Sequence, residues 1–240
     1  MVEDSNLVAE ANAYQARYNK PPLHSVSAIP LDESLARETA DYFEMTPHGP
    51  QNEDVKKSYE SMKRDVERQW DYATQEMGVQ LVPTSRDPYK NSEEMMKDVR
   101  ENGRLYYYTG GDVPADHPLA AISPKTGQSY NNMFRAVHDL FGHATHGNQF
   151  GPAGERRAFI AHSQMMEPQT VPALAFETHA QNSWFNYGKH LRNEKGYVAK
   201  KGETGYIAPA MRPFPLQKAN ILPARLSAVE NALLRARQQR

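Results

Sequence analysis

The sequence predicts a mainly α fold: one compact helical domain with a small β hairpin and a metal site between helices. Three observations predict it. A long amphipathic stripe fills the first third, helix-compatible segments separated by Pro and Gly fill much of the second half, and only one short run favours a strand. The 240 residues suffice for a full hydrophobic core and sit at the upper end of one domain. We read residues 1–103 as a helical N-terminal part and 104–240 as the part that carries the site, continuous with the first.

The stripe is Val55, Tyr59, Met62, Val66, Trp70, Ala73 and Met77, at three- or four-residue steps and closed by Gly78. Shorter helices are expected at about 32–45, with Leu35, Tyr42 and Phe43 inward, and at 92–102, with Ser92 as N-cap and Gly103 as stop. The run Arg104 to Thr109, rich in Tyr and ended by Gly110-Gly111, predicts a short strand or hairpin within 104–123. Helices are expected at about 132–141, 153–166 and 171–187, with Pro168 and Pro172 between the last two. The stretch 188–223 reads as loop, before a final helix at about 224–238.

The chain has no cysteine, which excludes disulfides, thiolate zinc sites, iron–sulfur clusters and a catalytic thiol. No apolar run approaches the ~20 residues needed to cross a bilayer, and the start MVEDSNLVAE is acidic where a secretory signal is basic. The expected location is therefore the cytoplasm, with no membrane partner. Residues 1–120 carry 13 Lys/Arg against 22 Asp/Glu, while residues 121–240 carry 15 against 7. A basic half suggests a small anionic substrate and, more weakly, nucleic acid through Arg156-Arg157, Lys200-Lys201 and the tail Arg235 to Arg240. Mutual attraction of the two halves explains the same asymmetry.

Five of the nine histidines fall between His138 and His179, together with Asp139, Glu155, Glu167 and Glu177. In a chain without cysteine this density is the pattern of a metal site built from imidazole and carboxylate. Its centre is His138-Asp139-Leu140-Phe141-Gly142-His143. Residues five apart on an ideal helix point roughly 140° away from each other, so His138 and His143 can share an ion only if the helix deforms or ends, and Gly142 permits a bend. Asp139 and His143, four apart, are the competing pair.

The carboxylate has two candidates. Glu177 lies in an otherwise apolar helical stretch, where a lone acid is costly unless paired or metal-bound. Glu155 follows Gly151-Pro152-Ala153-Gly154, with His162 two turns along on the same face. Glu155 and His162 are read as a second metal position, a substrate-binding pair or a surface ion pair. Gln181 and Asn182 follow Glu177 and suit the orientation of a ligand or the recognition of a cofactor or substrate edge.

Phe134 to His143, Gly154-Glu155, Glu177-Thr178 and Gln181 to Trp184 together resemble a family of uncharacterised phage-encoded and mobile-element proteins, with similarity running from Tyr42–Pro50 to Leu222-Pro223. That resemblance implies a phage or mobile-element origin, with host cytoplasm as the location if phage-encoded, and supplies no activity. At motif level the same segment is similar to the aromatic amino acid hydroxylases, whose iron-binding segment reads His-Glu-x-x-Gly-His with a later glutamate. Here Asp139 stands where that family has glutamate. The resemblance implies Fe(II) held by His138, His143 and Glu177, with positions left open for dioxygen.

The expected function is a mononuclear non-haem Fe(II) oxygenase or hydroxylase acting on a small anionic or nucleotide-like substrate. The alternatives are a hydrolase of nucleotides or phosphoesters using Zn or Mn, with Asp139 or Glu155 moving the proton, and a phage virion or host-interaction protein with a structural metal. An HD-type phosphohydrolase is disfavoured because no Asp follows Asp139. A Ser-His-Asp arrangement, a P-loop and a dinucleotide fingerprint all lack their spacing.

Overall fold

The computed structural model describes residues 7–111 and 113–238, and side chains up to residue 234. The basic tail Arg235 to Arg240 therefore lies outside the described side chains. The architecture is mainly helical with one two-stranded sheet. Helices α1 (Leu7–Arg17), α2 (Glu33–Met45) and α3 (Glu53–Asp71) come first, and α3 runs on through a π-helical turn, Tyr72–Glu76. Asp32 and Asn52 cap α2 and α3 with side-chain acceptors, as their positions before amphipathic runs require. Along the stripe Val55, Tyr59, Met62, Val66 and Ala73 are buried, and Gly78 ends it in the left-handed region at φ 67°.

Strand β1 (Gln80–Thr84), helix α4 (Ser92–Asn102) and strand β2 (Arg104–Tyr108) follow. The strands pair in parallel, Gln80 opposite Arg104 through Thr84 opposite Tyr108. The small sheet is thus a strand–helix–strand unit and not a hairpin. A parallel pair needs a crossover, and α4 supplies it. Beyond Tyr108, Arg135 reaches the carbonyls of Tyr108 and Gly110 and ties the chain to the next helix instead of letting it turn back. The N-cap of α4 is Asn91, one residue before the expected Ser92, and Gly103 closes it at φ 59°.

The second half contains α5 (Tyr130–His138), which passes into a π-helical segment, Asp139–Ala144. Helix α6 (Pro152–Ser163) follows, and then α7 (Val171–Ala175) and α8 (Gln181–Tyr187), joined by a second such segment, Phe176–Ala180. Residues 188–223 hold short 3₁₀ turns and one isolated bridge between Arg192 and Val198, and the terminal helix is broken by Ala228 at φ 47° into α9 (Ala224–Ser227) and α10 (Val229–Gln238). One buried apolar cluster runs from Leu7 through Phe141, Phe159 and Phe176 to Leu226, so both halves of the sequence build the same core.

The charge asymmetry is partly consumed inside the fold. Lys125, Arg192 and Arg225 of the basic half pair with Asp71, Asp41 and Glu38 of the acidic half. No helix among the described residues is long and apolar enough to cross a membrane.

Candidate metal centre

The π-helical segment resolves the geometric problem posed by His138 and His143. Its hydrogen bonds run to the fifth residue, as from Thr145 N–H to the Leu140 carbonyl at 2.9 Å. At about 4.4 residues per turn, residues five apart are separated by roughly 50° instead of 140°. The two rings consequently meet edge to face, with centroids 5.3 Å apart. Gly142 acts by allowing close approach: a Cβ there would lie 3.1 Å from both the Ala158 carbonyl of α6 and the His138 ring.

Helix α6 brings in the carboxylate. Gly151, at φ 132°, and Pro152 start it, and Gly154 packs so tightly that a Cβ would sit 1.8 Å from the Gln149 carbonyl oxygen. This places Glu155 Oε2 3.4 Å from His143 Nε2. One donor atom each from His138, His143 and Glu155 all lie within 4.8 Å of one another, a spacing that one ion can bridge.

The hydrogen bonds around the imidazoles prepare them as ligands. Nδ1 of His143 donates to the Asn148 carbonyl at 3.0 Å, and Asn148 is itself held by the Gly142 carbonyl at 2.8 Å. That leaves His143 Nε2 as the atom facing Glu155. Nε2 of His162 lies 2.7 Å from Gln69 Oε1, so it carries the proton, and His162 Nδ1 must then accept. His138 Nδ1, 3.0 Å away, donates to it, and His138 Nε2 is left with its lone pair free.

Burial holds His138 well below its ordinary value and His162 at about 3, with neighbouring imidazoles adding to both shifts, so the chain of neutral tautomers is stable at neutral pH. His143 differs. Burial opposes its charging, but the charge and hydrogen bond of Glu155, with Asp139 and the Asn148 carbonyl, outweigh that and raise it to about 9. Without a metal the His143–Glu155 contact is an ion pair, and a cation entering here displaces its proton.

Glu177 faces the same cavity but is engaged elsewhere. The second π-helical segment turns it toward α3, where Tyr59 Oη donates to Oε1 in a short contact, His117 Nε2 lies 3.1 Å from Oε1, and Gln181 donates to Oε2 at 3.0 Å. The Leu119 N–H donates to His117 Nδ1, which places that ring's proton on Nε2, toward Glu177. The carboxylate brought to both imidazoles is accordingly Glu155, and Glu177 is the centre of a separate buried cage.

Other expected residues are distributed around these two groups. Glu155 and His162 do not pair with each other; one meets His143 and the other His138. Asp139 lines the cavity without joining the converging donors, and burial, strengthened by the charge of Glu155, pushes it up to about 7 against His143 and Arg135. Gln181 and Asn182 also line the cavity, whose volume is about 410 Å³ and whose walls include Arg135, Phe134, Phe185 and Phe214. The sequence reading took Tyr59 only as part of the apolar stripe and did not single out Gln69 or His117. Gln69 is a polar residue within that α3 run, and His117, in a Pro-flanked loop, carries no local signal.

No protein-family model, curated protein or solved structure matches this chain.

Proposed function

We propose that this protein is a mononuclear non-haem Fe(II) oxygenase or hydroxylase, with iron held by His138, His143 and Glu155 and a small anionic substrate entering the adjoining cavity. One observation carries the reading: two imidazole nitrogens and one carboxylate oxygen converge within 4.8 Å, and two of the three donor residues, His138 and Glu155, line that cavity. A donor set of two nitrogens and one oxygen suits Fe(II), and also Zn or Mn, and leaves coordination positions free. When bound, iron supplies the activation of dioxygen. The chain does the rest: Gln69 and His162 aim His138, Asn148 aims His143, and Arg135 offers the cavity a positive charge. Phe134 and Phe185 give the cavity apolar walls, while the amides of Gln181 and Asn182 are placed to meet a polar substrate edge.

The second reading is a metal-dependent hydrolase of nucleotides or phosphoesters, favoured by Asp139, whose carboxyl lines the cavity beside the three donors as a proton carrier would. A purely structural metal is disfavoured because the cavity reaches His138 and Glu155. Elemental analysis of anaerobically purified protein, joined to oxygen-uptake measurements, separates these readings. Iron with oxygen uptake supports the first, zinc with phosphate release from nucleotides supports the second, and no metal with neither activity sinks both.

A further inference from the structure

Helix α6 carries a second arrangement on a different side from Glu155. The next residue, Arg156, lines a separate cavity of about 220 Å³ together with His179, Asp32, Arg225 and the start of α10. Arg156 is only 6 % exposed, and its guanidinium makes no hydrogen bond or ion pair with any described residue; Nη1 is wholly shielded and without an acceptor. The guanidinium lies over the face of Phe159, 5.4 Å from the ring centre. His179, 5 % exposed, stacks on that same ring at 5.5 Å, and its Nε2 also lacks a hydrogen-bond partner.

A guanidinium offers five donors, and leaving the two on a shielded Nη1 without an acceptor is costly. The one carboxylate lining the cavity, Asp32, caps α2 through Oδ1 and makes no ion pair with Arg156, so it acts on the guanidinium only as a nearby charge. Arg225 stands at the rim, half committed to Glu38. The first turn of α10, a helix of ten residues, borders the cavity through Asn231 and Ala232. Backbone N–H groups at such a terminus add to the attraction for negative charge. Burial lowers Arg156 to about 10, so it remains a cation at neutral pH.

We propose that this cavity binds a small oxyanion of the phosphate type, with Arg156 as its principal donor and His179, Arg225 and the α10 terminus beside it. Free inorganic phosphate and the phosphate group of a metabolite are the two sources of that chemistry. The site is independent of the metal reading.

Thermal melts in chloride buffer at fixed ionic strength, with added inorganic phosphate, glycerol phosphate or acetate, test it. Wild-type protein is expected to show a saturable rise in Tm with phosphate, and Arg156→Met to weaken that response about tenfold or more. Without phosphate Arg156→Met should melt no lower than wild type, since it removes an unpaired buried charge. An equal response to glycerol phosphate identifies a phosphate monoester as ligand, and a response to inorganic phosphate alone identifies the free ion. No saturable shift, an equal shift with acetate, or an undiminished shift in Arg156→Met overturns the proposal. Should Arg156→Met fail to fold, Asp32→Asn keeps the helix cap and removes the competing charge. It is expected to tighten phosphate binding severalfold, and unchanged or weaker binding has the same overturning force.

Discussion

The Nδ1 atoms of His138 and His162 lie 3.0 Å apart, so one ring must give its proton to the other, and Gln69, 2.7 Å from the far nitrogen of His162, decides which. A carbonyl oxygen on α3 thereby fixes which nitrogen of His138 is free, two side chains away.

Removing that acceptor should be felt at the metal. Gln69→Leu leaves His162 Nε2–H unpaired, at a cost of about 1–3 kcal/mol in stability. It should also reduce metal affinity about 10–100-fold, the usual effect of losing a partner behind a ligand. Gln69→Glu keeps an acceptor and should retain affinity. Fe(II) or Zn(II) titration of the two variants decides the matter, and equal affinities would sink the relay.

The two carboxylates can be told apart. Glu155→Gln should lose at least about 100-fold in metal affinity, more than an outer partner costs. Glu177→Gln keeps an oxygen for Tyr59, while Gln181 must turn its carboxamide to accept from the new amide, and the variant should bind metal nearly as wild type does. The reverse order of affinities would return the third ligand to Glu177.

Close approach of α6 depends on two glycines. Gly154→Ala puts a Cβ 1.8 Å from the Gln149 carbonyl oxygen, backbone that cannot yield locally, and should cost about 3 kcal/mol. Gly142→Ala meets its neighbours at 3.1 Å and should cost about 1 kcal/mol. Urea unfolding of both variants gives the order, and a Gly154→Ala protein as stable as wild type contradicts the packing described.

Acid should destabilise the metal-free protein. Burial holds His138, His146 (about 4), His162 (about 3) and His179 below 6.5, so the unfolded chain takes up protons first as pH falls. Their contribution is present above 6.5 and lost below it, at about 1.4 kcal/mol per histidine per pH unit. Asp139, raised to about 7, works in the opposite sense and offsets one of the four. His143, raised to about 9, stabilises fully below 6.5 and loses that contribution as pH rises through 9. Unfolding free energy should therefore drop by about 5 kcal/mol between neutral pH and about pH 5, and more gently on the alkaline side. A flat profile over the acid range would contradict the buried neutral histidines.

Much of the architecture was legible in the sequence because helices are written locally. The three- and four-residue spacing of Val55 to Met77 placed α3, and Gly78 and Gly103 stopped their helices. The strand at Arg104–Tyr108 was equally plain, but its partner was not. Gln80–Thr84 is short and carries Pro83, and its pairing depends on α4 folding back across it.

The site divides along the same line. By itself the sequence determined the donors on one segment, His138 and His143, since residue type and spacing are properties of the chain, and it showed that an ideal helix would separate them. Only the tertiary structure decided how they meet, through a π-helical segment, and which acid joins them. Glu155 and Glu177 are each isolated carboxylates in sequence. One is carried to the imidazoles because Gly142 and Gly154 let α6 pack closely, while the other is claimed by Tyr59 and His117, residues more than fifty positions away whose proximity no local pattern encodes.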